Sequence, residues 1–457
     1  MASGCAPHPL GWSAHDAAVA TLRAAYRSLP PDSPVRLVKP TSNLFRPREQ
    51  AVSGLDVSGL AGVIAIDPQR RVADVQGMCT YETVVDATLA HGLMPLVVPQ
   101  LRTITLGGAV TGLGVESSSL FNGLPHESVL EMDVLTGAGE IVTAGPAENA
   151  DLYTAFPNSY GSLGYAVRLR IALQPVRPFV ALRHVPFADA AKLADAIDHI
   201  ARAGEWEGRD DAFVDGVVFG RDECYLTLGS WSDTGPGSDY TRATPYYRSI
   251  KERGEDRLSV RDYLWRWDTD WFWCSAAFGL EKPLVRRLWP RRYRRSDVYH
   301  RIVAFENRHG YAAALDRRRG KPPRERVVQD VEVPLERTAE FLDWFAEHVG
   351  MSPVWLCPLR AQRSWPLYPL EPGRTYVNVG FWGSVPIADG RADGDVNRAI
   401  ERVVGELGGH KSLYSDVYYD RDEFDALYGG PTLRKVREQY DPQDRLVSMY
   451  DKVVGRR

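Results

Sequence analysis

A glycine-rich segment, residues 103–119, contains the residue types best suited to chemistry in this sequence. Gly107, Gly108, Gly112 and Gly114 are interspersed there with hydroxyl side chains. Glycine lets backbone N–H groups approach an anion without a Cβ atom in the way, and hydroxyl groups add donors. The segment therefore predicts a diphosphate site. Its spacing matches neither GxGxxG nor GxxxxGK[ST], so a glycine-rich turn between buried strands is the alternative.

A second cluster of small residues, 157–165, reads Pro-Asn-Ser-Tyr-Gly-Ser-Leu-Gly-Tyr. Such residues let the backbone pass close to a flat ligand. The run Asp-Val-Leu-Thr-Gly-Ala-Gly-Glu-Ile-Val lies between the two clusters. The two clusters together are more specific than either one alone.

The elements that must position these clusters change in type along the chain. Residues 14–29 predict an amphipathic helix, because apolar side chains recur there at helical spacing. Short β-rich runs follow from 35 to about 175, interrupted by a helix at 81–91. After the breaker Pro175-Val-Arg-Pro178, strands and helices alternate, and the last helices are expected near 392–407 and 421–439. This order is typical of α+β proteins.

Composition excludes several classes of protein. Among 457 residues, 44% are hydrophobic, which excludes general disorder, and the net charge of −4 gives no basic field for nucleic acid. Five scattered cysteines without a CxxC motif argue against a disulfide framework or a zinc site and favour a reducing compartment. No apolar run reaches the roughly 20 residues of a spanning helix, and no secretory signal is recognised. We expect a cytoplasmic protein.

Further motifs accompany the glycine-rich segment. They are Pro99-Gln-Leu, Gly123-Leu-Pro-His126, Val354-Trp-Leu-Cys-Pro358 and residues 413–424. Together, over roughly residues 35–455, the sequence resembles FAD-binding flavoproteins of the vanillyl-alcohol oxidase/p-cresol methylhydroxylase type, and among them the 24-dehydrocholesterol reductase (diminuto/seladin) branch. Members of that branch begin with a membrane-spanning segment, which this sequence lacks.

The resemblance implies an α+β fold with two domains. An FAD-binding domain (PCMH-type) of two α/β subdomains would occupy residues 1–177. A substrate domain with an antiparallel sheet covered by helices would occupy 178–420, and residues 421–457 would return to the FAD domain.

The resemblance also implies which residues contact FAD. They are Pro40, Thr41, Ser42 and Asn43 in a first loop; Thr105, Leu106, Gly107, Gly108, Thr111, Gly112, Gly114, Ser117 and Ser118 around the diphosphate; His126 beside the flavin; and Gly161, Ser162 and Gly164 along the ribityl chain and ring. No histidine occurs in residues 39–45, where many members attach FAD covalently. We therefore expect non-covalent FAD.

The implied reaction is reduction of an isolated C=C bond in a lipid, with NADPH or NADH reducing FAD beforehand. An unconjugated alkene accepts hydride poorly, so an acid must protonate one carbon while hydride reaches the other. The candidate acids are His410, Tyr418, Tyr419 and Glu116, and a structural role is the alternative for each.

From the resemblance and the chemistry that it implies, we expect a methylene-branched or unsaturated fatty acyl chain as the substrate, since protonation of a methylene carbon would give a tertiary carbocation. The alternatives are a sterol side chain (a 24-dehydrosterol), oxidation of an alcohol or sugar by an FAD oxidase, and a non-enzymatic partner that binds lipid or a methyltransferase.

Two unusual runs predict a contact surface. Trp265–Trp273 is rich in aromatic residues, and Arg286–Arg295 contains six arginines and no acid. Aromatic rings beside arginine are typical of membrane–water interfaces, so we predict peripheral contact with the inner membrane face. A solvated face or a docking surface for a protein such as a methyltransferase is the alternative. No nucleic-acid motif accompanies the runs.

Overall fold

The computed structural model describes residues 8–39, 45–46, 54–242, 244–309, 318, 320 and 322–454. The helices are α1 (Trp12–Arg27), α2 (Tyr81–Leu89), α3 (Leu106–Gly112), α4 (Ser119–Asn122), α5 (Ala150–Ala155), α6 (Ala190–Ala203), α7 (Tyr246–Glu252), α8 (Val260–Leu264), α9 (Pro283–Leu288), α10 (Ser296–His309), α11 (Thr338–His348), α12 (Asp395–Glu406), α13 (Arg421–Leu427), α14 (Gly430–Tyr440) and α15 (Met449–Val453).

The strands are β1 (Leu37–Val38), β2 (Leu55–Asp56), β3 (Val63–Asp67), β4 (Val72–Gln76), β5 (Leu93–Pro95), β6 (Val129–Leu135), β7 (Ile141–Ala144), β8 (Tyr165–Pro175), β9 (Phe179–Phe187), β10 (Glu205–Trp206), β11 (Arg209–Asp210), β12 (Phe213–Gly220), β13 (Glu223–Ser232), β14 (Glu255–Ser259), β15 (Arg324–Pro334), β16 (Val354–Leu359), β17 (Tyr376–Pro386) and β18 (His410–Lys411). Short 3-10 turns connect several of them.

A six-stranded antiparallel sheet is formed by the first part of the chain. Its order is β3-β4-β8-β6-β7, and β5 pairs with the far end of β8. Val84 and Val110, on α2 and α3, are buried in the same apolar cluster as Leu169 on β8. This packing holds α3 and the glycines within it against the sheet.

A second, smaller core joins the two ends of the chain. Leu22 on α1 packs in it with Leu37, Leu55 and Leu446. The Arg445 guanidinium also donates a hydrogen bond to the Tyr26 hydroxyl at 2.7 Å. The C-terminal region therefore packs on the N-terminal region.

An eight-stranded antiparallel sheet has the order β14-β9-β13-β12-β16-β17-β15-β18, and β1-β2 and β10-β11 form two separate two-stranded sheets. β15 and β17 pair from Arg324↔Pro386 to Pro334↔Tyr376. The helices α6, α11 and α12 contribute apolar side chains to a core on this sheet. The α+β class is confirmed, whereas the predicted domain boundaries at 177/178 and 420/421 stay predictions.

The region predicted as a helix over 421–439 contains two helices, α13 and α14. Gly429 separates them with a φ of +63°, and a Cβ atom there would lie 2.2 Å from the Pro366 carbonyl oxygen. A close backbone approach therefore breaks the helix where the apolar periodicity does not.

Candidate functional site

A cavity of about 690 Å³ is lined by both glycine clusters and by strands of the eight-stranded sheet. Its volume is typical of small-molecule sites, which span roughly 300–1,000 Å³. The cavity therefore brings the predicted diphosphate segment together with the predicted substrate domain.

The first half of the glycine-rich segment is bonded to the protein itself. The Leu106 N–H donates to the Cys79 carbonyl at 2.8 Å, and the Gly107 N–H donates to the Gly77 carbonyl at 2.9 Å. The Gly108 N–H donates to the Thr105 hydroxyl, which caps α3. A Cβ atom at Gly107 would lie 2.7 Å from the Gly77 oxygen. Glycine here permits close backbone packing, and these three N–H groups are already used.

The second half of the segment offers donors instead. The backbone turns at Leu113, whose φ of +62° is uncommon for a residue other than glycine. Leu113, Gly114 and Val115 line the cavity, and no acceptor for their N–H groups is found within the described residues. An anion at this end of the segment would therefore meet backbone donors that the fold leaves available.

The second glycine cluster packs directly on the first. The Tyr160 hydroxyl donates to the Gly112 carbonyl at 2.9 Å, and the Tyr160 N–H donates to the Thr111 carbonyl at 2.9 Å. Gly164 has a φ of +131°, and a Cβ atom there would lie 2.5 Å from the Leu135 carbonyl oxygen. The Lys452 ammonium, on α15, donates to the Gly161 carbonyl at 2.8 Å. The C-terminal helix thus fixes this cluster.

The charge of the cavity suits an anionic ligand. Four cationic side chains line it, against two carboxylates: Arg36, Lys39, Arg46 and Lys452, with Asp330 and Asp451. Gln100 also lines it, and its buried Nε2 has no hydrogen-bond partner among the described residues. Such a buried donor requires an acceptor, which a ligand can supply. The residues therefore fit an FAD molecule, whose diphosphate is anionic.

Aromatic rings that contact one another form a wall of the cavity. Phe272 stacks on Trp382 with ring centroids 4.2 Å apart, and Trp271 stacks on Phe45 at 5.6 Å. Trp355 completes this wall, and its indole N–H donates to the buried Asp215 carboxylate at 3.2 Å. An apolar, water-poor wall of this kind suits a flat ring or a hydrocarbon chain.

One carboxyl group on this side was missed in the sequence. Asp330 on β15 lines the cavity opposite Gly380 on β17, and the Asn378 amide donates to its Oδ1 at 3.4 Å. Burial raises the pKa of Asp330 to about 7. The signal in the sequence was an acid at alternate positions of an otherwise apolar strand, Val327-Val-Gln-Asp-Val-Glu-Val333.

The predicted FAD residues divide into three groups. Those that line the cavity are Thr105, Gly107, Gly108, Thr111, Gly112, Gly114, Gly161 and Gly164. Those that are buried outside its lining are Leu106, Ser117, Ser118, His126 and Ser162. Pro40, Thr41, Ser42 and Asn43 lie outside the described residues. The role of each in binding FAD stays a prediction.

His126 and Ser118 illustrate the second group. The His126 ring contacts Trp365 edge-on at 4.6 Å, and burial lowers its pKa to about 3. The Ser118 hydroxyl donates to the Leu96 carbonyl at 3.0 Å. Both side chains thus have structural contacts.

None of the four candidate acids lines the cavity. Glu116 accepts a hydrogen bond from Arg266 at 3.0 Å in the interior, and Arg266 also pairs with Asp215 at 2.9 Å. His410 lies 5.7 Å from the Tyr368 ring, and burial lowers its pKa to about 4. Tyr418 and Tyr419 follow β18, and burial raises the pKa of Tyr419 far above its ordinary value. Their catalytic roles stay predictions that the cavity does not favour.

The predicted membrane contact through Trp265–Trp273 is wrong. Trp265 and Trp267 are each only 1% exposed, and the rest of the run packs around the cavity wall. The basic run is divided: Arg286 is buried in an ion pair with Asp270 at 2.6 Å, whereas Arg291 and Arg292 are exposed. The aromatic residues are therefore core residues, and only part of Arg286–Arg295 forms a surface.

Neither a membrane-spanning helix nor a metal site is found among the described residues. They contain no helix long and apolar enough to cross a bilayer. They also contain no group of three or more His, Cys, Asp or Glu side chains arranged to hold a metal ion.

Comparison with known proteins agrees with this geometry. Residues 14–145 match the model of an FAD binding domain. The chain is 26% identical to Delta(24)-sterol reductase of Homo sapiens over an alignment 417 residues long, gaps included, that covers 86% of this chain and 76% of that protein. It is 24% identical to Delta(24)-sterol reductase of Arabidopsis thaliana over an alignment 447 residues long, gaps included, that covers 87% of this chain and 76% of that protein. Cytokinin dehydrogenase 2 of Oryza sativa subsp. japonica is 32% identical over 166 residues, 35% of this chain and 29% of that protein.

The chain is therefore a flavoprotein with an FAD-binding domain of the p-cresol methylhydroxylase type, and an FAD-linked oxidoreductase. Within that class it is similar, over most of its length, to the Delta(24)-sterol reductases.

Proposed function

We propose that this chain reduces an isolated carbon–carbon double bond of a lipid, with non-covalently bound FAD and with NADPH or NADH as the reductant. The observation that carries the proposal is the cavity itself. Its lining combines unused backbone donors and cationic side chains with an aromatic wall. The donors and cations suit a dinucleotide, and the aromatic wall suits a flavin ring with an apolar substrate beside it.

The chain's own residues divide the work of binding. Leu113, Gly114 and Gln100 supply hydrogen-bond donors for the cofactor, and Lys452 holds the second glycine cluster in place. Trp271 and Phe272 exclude water from the reacting face. FAD, when bound, supplies hydride transfer. The protein must also supply a proton, because an isolated alkene does not stabilise the charge that hydride addition alone would create.

The substrate class has two candidates. The comparisons favour a sterol side chain, because the similar proteins named Delta(24)-sterol reductase align with 86–87% of this chain. The methylene-branched fatty acyl chain, which we expected from the sequence, has less support. Both substrates would yield a tertiary carbocation on protonation, so a single acid serves either one.

The decisive experiment measures the two half-reactions separately. The purified chain is loaded with FAD, and acid precipitation is expected to release the flavin colour, as non-covalent binding requires. Under anaerobic conditions, NADPH and NADH are compared for the rate at which they bleach the flavin absorbance. The reduced protein is then mixed with a Δ24-sterol or with phospholipid bearing methylene-branched acyl chains, and the products are identified by gas chromatography and mass spectrometry.

We expect a lipid to restore the flavin absorbance and to appear as its saturated product. Rapid reoxidation by air with no effect of either lipid would contradict the proposal and favour an oxidase. A chain that gains no flavin absorbance at all would favour a non-enzymatic role in binding lipid or a methyltransferase.

We also infer that a small surface around α9 contacts an anionic lipid bilayer. Leu284 and Leu288 are 75% and 83% exposed and lie one turn apart on the same helix face. The exposed Arg287, Arg291 and Arg292 adjoin them. Apolar side chains flanked by cations match the acyl and phosphate layers of a membrane surface.

This surface, which we call the α9 surface, is connected to the cavity wall through α10. Trp289, just after α9, contacts Tyr299 on α10 with ring centroids 6.3 Å apart. His300, the next residue of α10, contacts the wall residue Trp271 at 6.1 Å. Rings on α10 therefore link the α9 surface to the aromatic wall, where a lipid substrate is needed.

A further inference from the structure

Two carboxylic acids, Asp330 and Asp451, line the cavity, and their surroundings differ. Asp451 lies in the first turn of α15, accepts a hydrogen bond from Ser448 at 2.6 Å and has a side chain 48% exposed. Asp330 lies on β15, between β17 and β18, within the eight-stranded sheet. Asp330 is half-buried, so it is the less exposed of the two acids.

Three neighbours fix the Asp330 carboxyl group. The Asn378 amide donates to Oδ1 at 3.4 Å, and the Tyr414 hydroxyl forms a further hydrogen bond with the carboxyl group. The Tyr414 oxygen in turn accepts from the Trp382 indole N–H at 2.9 Å. A Cβ atom at Gly380 would lie 2.4 Å from Asp330 Oδ1, so glycine is required for this placement.

We propose that Asp330 is the general acid that protonates the double bond, and that Asn378 and Tyr414 position its carboxyl group. The proposal rests on the reductase function proposed above. It supplies the proton donor which that reaction needs and which none of the four candidates from the sequence provides at the cavity. The proposal stands on three facts: Asp330 lines the cavity, its side-chain partners are neutral, and its partner Tyr414 is bonded to Trp382 of the aromatic wall.

The O–H bond of the Asp330 carboxylic acid breaks, and a C–H bond forms at one alkene carbon. The other alkene carbon receives hydride from the reduced cofactor, so the lipid gains two electrons and the cofactor loses two. The Asp330 carboxylate then regains a proton from water, and NADPH or NADH restores the reduced cofactor.

Burial favours a proton on Asp330, whereas the hydrogen bonds from Asn378 and Tyr414 act in the opposite direction and lower its pKa. The titratable groups around it are Glu332 on β15, Cys357 on β16, Lys411 on β18, Tyr414 after β18, and Tyr160 in the second glycine cluster. Burial raises the pKa of the thiol and both phenols, so they are neutral at pH 7, and Lys411 is paired with Glu401 at 2.5 Å. Burial raises the pKa of Asp330 to about 7, a value suited to proton donation near neutral pH.

The test compares Asp330→Asn with Glu332→Gln. Glu332 is a matched control, because it is a buried acid two residues away on β15 that does not line the cavity, and burial raises its pKa to about 8. Both variants are expected to bind FAD and to be bleached by NADPH or NADH like the wild type. Reoxidation by lipid is expected to slow by about 10²–10⁴-fold in Asp330→Asn and by no more than a few-fold in Glu332→Gln.

Two further measurements separate proton donation from a structural role. The wild-type rate of reoxidation by lipid should fall as the pH rises above about 7, and the residual rate of Asp330→Asn should lack this fall. Infrared difference spectra of the chain without substrate should show a protonated carboxyl band that titrates near pH 7 and is absent from Asp330→Asn.

A band that titrates below pH 5, or an Asp330→Asn variant that reoxidises at the wild-type rate, would overturn the assignment. Failure of the proposed function is distinguishable, because then the wild type itself would not be reoxidised by either lipid while the infrared titration would still report on Asp330.

Discussion

Two carboxyl groups with unusual protonation lie on β15. Asp330 and Glu332 occupy alternate positions of this strand, and burial raises the pKa of each. An acid whose pKa is raised on folding destabilises the native state when it must ionise, because the unfolded chain ionises at lower pH. The two acids on β15 therefore lower the free energy of unfolding at neutral pH. Acids with raised pKa values of this kind are typical of functional sites.

This cost predicts how stability changes with pH. The Asp330 carboxyl titrates near 3.8 when unfolded and near 7 when folded, so the native state binds more protons between these values. Wild-type stability is therefore lost as pH rises from about 4 to 7, and the change levels off above 7. Asp330→Asn lacks this loss. The difference between its melting temperature and that of the wild type should therefore increase from about pH 4 to pH 7.

Thermal unfolding without added FAD, from pH 4 to pH 8, measures this difference. Glu332→Gln serves as the comparison, since its own gain should extend to about pH 8. A constant offset between Asp330→Asn and the wild type over the whole range would contradict the assigned pKa.

Elements distant in the chain meet at the second glycine cluster. α15, near the C-terminal end of the described residues, reaches back so that the Lys452 ammonium donates to the Tyr160 and Gly161 carbonyls at 3.1 and 2.8 Å. These carbonyls belong to a turn with φ values of +50° and +74°. Charged donors therefore stabilise backbone that has little regular hydrogen bonding of its own.

Lys452→Met should loosen this turn while keeping most of the side-chain volume. Hydrogen bonds from charged groups contribute roughly 1.5–3 kcal/mol, which corresponds to about ten- to a hundredfold weaker FAD binding if the turn is ordered only in the bound form. Fluorescence titration with FAD measures the change. Lys435→Met, an exposed residue on α14, is the control and should bind FAD as the wild type does. Equal affinities for the two variants would show that α15 does not support the site.

The sequence predicted elements better than it predicted contacts. Regular periodicity located α1, α2 and α12 to within a few residues, because amphipathic patterns report burial directly. The break at Gly429 was missed, since it depends on the distant Pro366 carbonyl. The hydrogen bonds from the N–H groups of Leu106 and Gly107 to the Cys79 and Gly77 carbonyls were missed as well. These partners lie far away in the sequence, so no local pattern reveals them.

Long-range pairing also explains the wrong surface prediction. Trp267 and Arg266 lie in a run that looks like an interface, yet Asp215 accepts hydrogen bonds from both in the interior. Asp330 was overlooked because its significance depends on the pairing of β15 with β17. The sequence thus indicated the cofactor segment, whereas only the strand pairing in the eight-stranded sheet identified Asp330 as the candidate acid.

At the scale of the whole molecule, the α9 surface predicts binding to membranes. Leu284→Ser combined with Leu288→Ser removes exposed apolar area without touching the buried core, so folding should be unaffected. Binding to vesicles containing anionic phospholipid should fall at least several-fold, since both the acyl contact and the arginine contacts depend on this helix face.

Co-sedimentation with vesicles of neutral and anionic composition measures this effect. Leu130→Ser, at an exposed leucine on β6, is the control and should sediment like the wild type. If the wild-type protein binds neither kind of vesicle, contact between the α9 surface and a bilayer is excluded. The α9 surface would then bind protein or remain solvated.

Three indoles, Trp271, Trp355 and Trp382, line the same cavity. A flavin bound among them would quench their fluorescence by energy transfer. Binding of the coenzyme could then be followed by intrinsic tryptophan fluorescence, with no dye and no turnover. The affinity of a catalytically inactive variant could be measured in the same way.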